Sequence, residues 1–273
     1  MAQKNGMIKV WGLFALFILL FILNFFVSIN DSQTKTQMAW QIIKVCVFAL
    51  SVVMLMKYKL PEKKQIIISI VFGLLMFVPY VSMAGIKAFL AIDVPAVTFL
   101  SSMAFFSISK KYPENAIPLL KSNSCKSIFI SIFVGIAVGI VWGIGNLFLN
   151  SNEPNPNISI INFIVPLNPG IYEEIAFRAF IFAACLHFMK GEMVTKAQRF
   201  TYWFMMIIPH VLVHTPDIFI ENGIVGGMMT TIILTALFGL PFAFLQRKRD
   251  LTSAMIAHGV VMIIFFNVYG IST

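Results

Sequence analysis

Residues 160–188 read Ile-Ile-Asn-Phe-Ile-Val-Pro-Leu-Asn-Pro-Gly-Ile-Tyr-Glu-Glu-Ile-Ala-Phe-Arg-Ala-Phe-Ile-Phe-Ala-Ala-Cys-Leu-His-Phe. Two adjacent carboxylates, Glu173 and Glu174, and the guanidinium of Arg178 stand inside a run that is otherwise apolar. A charged group at membrane depth costs about 2.5–3.5 kcal/mol on insertion scales, so such residues face a protein interior or a cavity. Glu174 and Arg178 are four apart and share a helical face, where they are expected to pair. Glu173 points about 100° away round the helix and is left available. An ion pair that only locks two helices needs one acid and one base. The spare glutamate therefore points to a site.

The rest of the chain supplies the apolar setting. Of 273 residues, 59% are hydrophobic and 11% charged, far from the composition of a soluble domain. The apolar residues fall in runs of about 20, the length of a helix that crosses a hydrocarbon core. The alternating segments of a membrane β-barrel are absent. The sequence thus predicts an all-α, polytopic transmembrane helix bundle of about 8–9 spans in a cell membrane. The expected spans are 7–29, 38–56, 66–83, 88–108, 128–149, 161–189, 200–220, 224–245 and 251–269. Pro166 and Pro169 interrupt the sixth, which is expected to begin irregularly. Lys44 and Asp93 are read as a buried base and a buried acid within spans two and four. Gly135, Gly139 and Gly143, four apart in the fifth span, predict a close helix contact.

Charge orients the bundle. With the N-terminus cytoplasmic, the predicted inner segments hold 16 of the 20 basic residues, among them Lys9, Lys57 and Lys111. The net charge of +9 is thus a topology signal, and nucleic acid is not an expected partner. Cys46, Cys125 and Cys185 form no metal-type cluster and read as small packed residues. Functional polar residues concentrate late in the chain. The expected division is 1–159, the N-terminal helices of spans one to five, and 160–273, the catalytic helices of spans six to nine.

His210 and His214 are four apart on one face, and His258 lies two turns into the last span. His187, beside Lys190, reads as interfacial. A carboxylate and a histidine that converge in a low-dielectric cavity can hold and deprotonate water, and a second histidine can donate to an oxyanion. A carboxylate with two histidines is equally a catalytic zinc set, with Glu173, His210, His214 and His258 as the ligand candidates. Zinc and a metal-free glutamate mechanism both lead to hydrolysis.

These residues resemble a known family, the CAAX prenyl endopeptidase and bacteriocin-immunity (Abi, or CPBP) intramembrane proteases. The Glu-Glu-x-x-x-Arg signature is met by Glu173, Glu174 and Arg178. A second signature, Phe-x-x-x-His, corresponds to His214, with His210 in the phenylalanine position. A third, a histidine followed four residues on by Asn, corresponds to His258, with Met262 in place of the asparagine. The resemblance covers about residues 160–266. It implies that Glu173 activates water with His214, that Glu174 and Arg178 support that site, and that His258 helps form the oxyanion hole. Met262 offers no hydrogen bond there.

The function expected is an intramembrane endopeptidase that acts on a membrane-associated peptide or protein, with the lipid bilayer as its other partner. A catalytically degenerate member serving as an immunity or scaffold protein is the alternative. A proton-coupled transporter is disfavoured, since no inverted repeat is visible.

Overall fold

The structure is a computed structural model that describes residues 2–27, 33–85, 92–149 and 153–270. Every regular element among these residues is helical, as required of backbone that must satisfy its own hydrogen bonds in lipid. The helices are α1 (Ala2–Phe26), α2 (Lys35–Lys57), α3 (Lys63–Leu75), α4 (Phe77–Ala84), α5 (Asp93–Lys111) and α6 (Cys125–Leu149). There follow α7 (Ile161–Ile164), the π-helix π1 (Asn168–Ala179), α8 (Phe180–Phe188), α9 (Lys196–Leu212) and α10 (Pro216–Leu234). A short π turn, π2 (Thr235–Gly239), leads into α11 (Leu240–Lys248) and then α12 (Leu251–Tyr269).

Among the described residues six helical stretches are long and apolar enough to cross a membrane: Asn5–Phe26, Lys35–Lys57, Lys63–Met83, Cys125–Phe148, Pro216–Lys248 and Leu251–Tyr269. The chain is an integral, multi-pass membrane protein. The remaining three expected spans are shorter or broken. The fourth becomes α5, which starts at Asp93; the preceding part of that expected span, with Lys87 just before it, lies mostly outside the described residues. The sixth divides into α7, π1 and α8 around its two prolines. The seventh ends at Leu212, and Pro216 opens the next helix, where its missing N–H costs nothing. The break expected at 221–223 is instead a kink inside α10, where Gly223 has φ 68°, a backbone state that glycine adopts without strain.

Asp93 is a second correction. It is exposed at the first turn of α5, and its Oδ1 accepts from Val94 N at 2.9 Å. A carboxylate there meets the positive end of the helix dipole, which explains its place without a buried role. Lys44, by contrast, is buried as expected. Cys185 is buried but Cys125, opening α6, is exposed, so not all the cysteines pack inside.

The chain forms two compact units, each drawn from both halves of the sequence. The first comprises residues 1–61, 103–116 and 177–243; the second comprises 62–102, 117–176 and 244–273.

In the first unit, α2 and α9 each begin at a capping box. Thr34 Oγ1 accepts from Gln37 N at 3.2 Å and Thr195 Oγ1 from Gln198 N at 3.1 Å, while each glutamine reaches back to its cap. Asp217 at the start of α10 accepts from the backbone N–H groups of Lys35 and Thr36 at 2.9 and 3.3 Å. That carboxylate satisfies two of the donors that open α2.

In the second unit, the glycine face of α6 lies against α12. A β-carbon on Gly139 would stand 2.6 Å from Cβ of Val260, and one on Gly135 2.8 Å from Cβ of Ile256. The predicted close contact is therefore present. Asp250 fixes the start of α12. Its Oδ1 accepts from Ser253 N at 2.8 Å, and its Oδ2 from Ser131 Oγ at 2.6 Å and Lys121 N at 3.2 Å. At the far end, Asn155 N and Asn157 N donate to the carbonyls of Val268 and Asn267 at 2.8 and 3.0 Å. Helix α12 is thus held at both ends, and His258 stands between them.

Candidate active site

The π-helix carries the acidic motif. Pro169 cannot donate to the ladder; Gly170 N still bonds four back, to the Pro166 carbonyl at 3.0 Å, and the helix runs on as a π-helix to Ala179. Gly170, in its first turn, meets α12 closely: a β-carbon there would stand 2.9 Å from the Met255 carbonyl oxygen and 3.4 Å from Gly259 Cα. One turn on from this contact, Glu174 reaches His258.

In the second unit, His258 Nδ1 lies 2.7 Å from Glu174 Oε1. Its other nitrogen, Nε2, lies 4.0 Å from Glu173 Oε2. The second oxygen of Glu174 accepts from Gln246 Nε2 at 2.7 Å, and the same amide donates to the Glu174 carbonyl at 3.1 Å. Glu174 and Gln246 are fully buried, His258 is 7% exposed, and Glu173 is only partly covered. The two carboxylates therefore differ in burial. Glu174 is enclosed and doubly bonded, while Glu173 keeps access to its surroundings.

Within the second unit, His258 and Gln246 hold the Glu174 carboxylate. Gln246 was missed in the sequence. Its signal is an amide in the last turn of an apolar span, just before Arg247-Lys248-Arg249.

The remaining site candidates lie in the first unit. Arg178 is 2% exposed, with its guanidinium carbon 5.4 Å from the centroid of the Phe242 ring, a cation–π distance. His210, buried in the last turn of α9, stacks against Phe177 at 5.6 Å and sits 5.4 Å from His214 between ring centroids. His214 follows in the connection to α10 and is exposed. Trp40 of α2 packs edge-on against His214 at 4.8 Å and against His210 at 5.8 Å. No sequence pattern points to Trp40. His187 lies apart from these residues' contacts and hydrogen-bonds to Tyr58 OH. Asn267 bonds within its own helix, to the Ile263 carbonyl at 2.8 Å, so it does not stand in for an asparagine at position 262.

The side chains are of the types that handle water: carboxylates to take a proton, imidazoles to donate or to bind a metal. The ring spacing of His210 and His214 suits two nitrogen ligands of one zinc ion, so the donor set is compatible with a metal.

The architecture is that of a multi-pass helical membrane protein, with Glu174 and His258 buried in the second unit and His210 buried in the first. Residues 155–264 match the family model described as type II CAAX prenyl endopeptidase Rce1-like, so that segment is similar to the CAAX protease (CPBP) family, a family of membrane proteases. The matched segment contains Glu173, Glu174, Arg178, His210, His214 and His258. Comparison with curated proteins and with solved structures gave no significant match.

Proposed function

We propose that the protein is an intramembrane endopeptidase that hydrolyses a peptide bond in a membrane-associated peptide or protein. The observation that carries this reading is the bonded chain Gln246–Glu174–His258, which turns the second ring nitrogen of His258 toward Glu173. A water between Glu173 Oε2 and His258 Nε2, which are 4.0 Å apart, reaches both within hydrogen-bond length.

Glu173 acts as general base: it takes a proton from the water as the oxygen attacks the scissile carbonyl carbon. The same carboxyl then gives that proton to the departing nitrogen as the C–N bond breaks. His258 in its doubly protonated form donates Nε2–H to the developing oxyanion, its charge offset by Glu174, which it meets through Nδ1. Glu174 is a positioning residue, and Gln246 positions Glu174. By family resemblance, Arg178 and His214 serve the same reaction.

The test is cleavage of a library of membrane-tethered peptides by purified protein, wild type beside Glu173→Gln. Cleavage by the wild type and its loss by at least about 10²-fold in the variant supports the proposal. An equally active Glu173→Gln protein, or a folded wild type that cleaves nothing in a broad library, overturns it. Dialysis against a chelator separates the two chemical forms. Turnover lost and then restored by zinc assigns the water to an ion, and unchanged turnover assigns it to the carboxylate and imidazole alone.

A further inference from the structure

The first unit contains a cavity of ≈ 340 Å³ enclosed by α1, α2, α8 and α9. Its floor is buried, with Val10 1% and Cys185 2% exposed, whereas Leu16 and Val53 at its rim are 51% and 44% exposed. Cys46 and Phe188 complete the part of the wall that matters here. The lining is apolar throughout, and the rim lies on membrane-crossing helices. The volume falls within the range of about 300–1,000 Å³ usual for ligand sites.

One end of this cavity carries charge. Val10 follows Lys9 directly, and Val53 lies one helical turn before Lys57. Phe188 adjoins His187, which bonds to Tyr58 and lies within electrostatic reach of Lys57, Lys111 and Lys9. The Lys111 Nζ stands 5.5 Å from the Tyr58 ring centroid and 5.8 Å from that of Tyr112. All three lysines are exposed, and among the described residues none forms an ion pair with a carboxylate. The positive-inside pattern puts all three on the cytoplasmic side. Concentrating three like charges there is unfavourable unless an anion meets them. Each basic residue close to an anionic leaflet contributes about 1 kcal/mol.

We propose that this end of the first unit binds an anionic phospholipid of the inner leaflet, with its phosphate among Lys9, Lys57 and Lys111 and one acyl chain in the adjoining cavity. Charge and hydrocarbon are recognised together. The site takes a resident lipid and is independent of the proposed proteolysis.

The native cysteines report occupancy without any substitution. Cys46 lines the cavity and is partly accessible, while exposed Cys125 lies in the other unit and serves as the internal control. Delipidated protein in neutral detergent would be alkylated with a small maleimide, alone or with dioleoyl phosphatidylglycerol, dioleoyl phosphatidylcholine, glycerol 3-phosphate or a long-chain isoprenoid alcohol. Phosphatidylglycerol should slow modification of Cys46 and leave Cys125 unchanged, and the other three should protect far less. Changing Lys9, Lys57 and Lys111 to Gln should weaken that protection by about fivefold per lysine, roughly a hundredfold in the triple variant. Equal protection by phosphatidylcholine or by the uncharged alcohol overturns the headgroup assignment. Protection by glycerol 3-phosphate overturns the chain assignment. Full phosphatidylglycerol affinity in the triple variant overturns the site.

Discussion

Glu174 and His258, 84 positions apart in sequence, meet at 2.7 Å in the second unit. Their approach depends on helices with almost no side chain between them at the crossing, since Gly170 faces Met255 and Gly259. The charged motif and the late histidine become one structure through that glycine contact.

Gln246 is expected to be indispensable to this arrangement. Gln246→Leu removes the donor to a fully buried carboxylate oxygen, which should destabilise the protein by about 1–3 kcal/mol. Proteolytic turnover should fall tenfold or more because His258 loses its fixed partner. Thermal unfolding in detergent and single-turnover cleavage measure the two effects. An unchanged melting curve with unchanged turnover would contradict the network.

Gly170→Ala should separate the two helices. The added carbon stands 2.9 Å from the Met255 carbonyl oxygen, a backbone atom that cannot rotate away. Overpacking of this kind costs about 1–3 kcal/mol. Its effect on kcat should exceed that of Gly145→Ala, because a β-carbon at Gly145 meets nothing within 4 Å. Comparable losses in the two variants would rule out a special role for the crossing.

Asp250→Ala should act on stability more than on chemistry. The carboxylate caps α12 at its first turn through Ser253 N and binds Ser131 and Lys121 on the segment that leads into and begins α6, and none of these bonds involves His258. Loss of the cap alone costs about 0.5–2 kcal/mol. The expected result is a lower Tm with near-normal KM in the protein that remains folded. A normal Tm with abolished turnover would place Asp250 in the reaction itself.

Met262 lies one turn beyond His258 on the same helix face. Met262→Asn would supply a second donor, and a gain in kcat of up to about 10²-fold is expected if oxyanion stabilisation limits the rate. A clear fall would show that position 262 does not correspond to the family's asparagine.

Much was legible in the chain itself. Runs of apolar residues dictated helices, because backbone in lipid has no other donors and acceptors. Charge asymmetry oriented them, and the cost of burying charge singled out Glu173, Glu174 and Arg178. The spacing of Gly135, Gly139 and Gly143 forecast close packing of α6. Sequence periodicity could not say which helix Glu174 would bond, since an i,i+4 rule sees only neighbours on the same helix. Tertiary structure brought His258 and Gln246 to that carboxylate from α12 and α11. It also moved the break near Pro216 and set Asp93 at an exposed helix start. Local rules fix what each segment must bury; only the packing of distant segments decides which polar groups share a buried space.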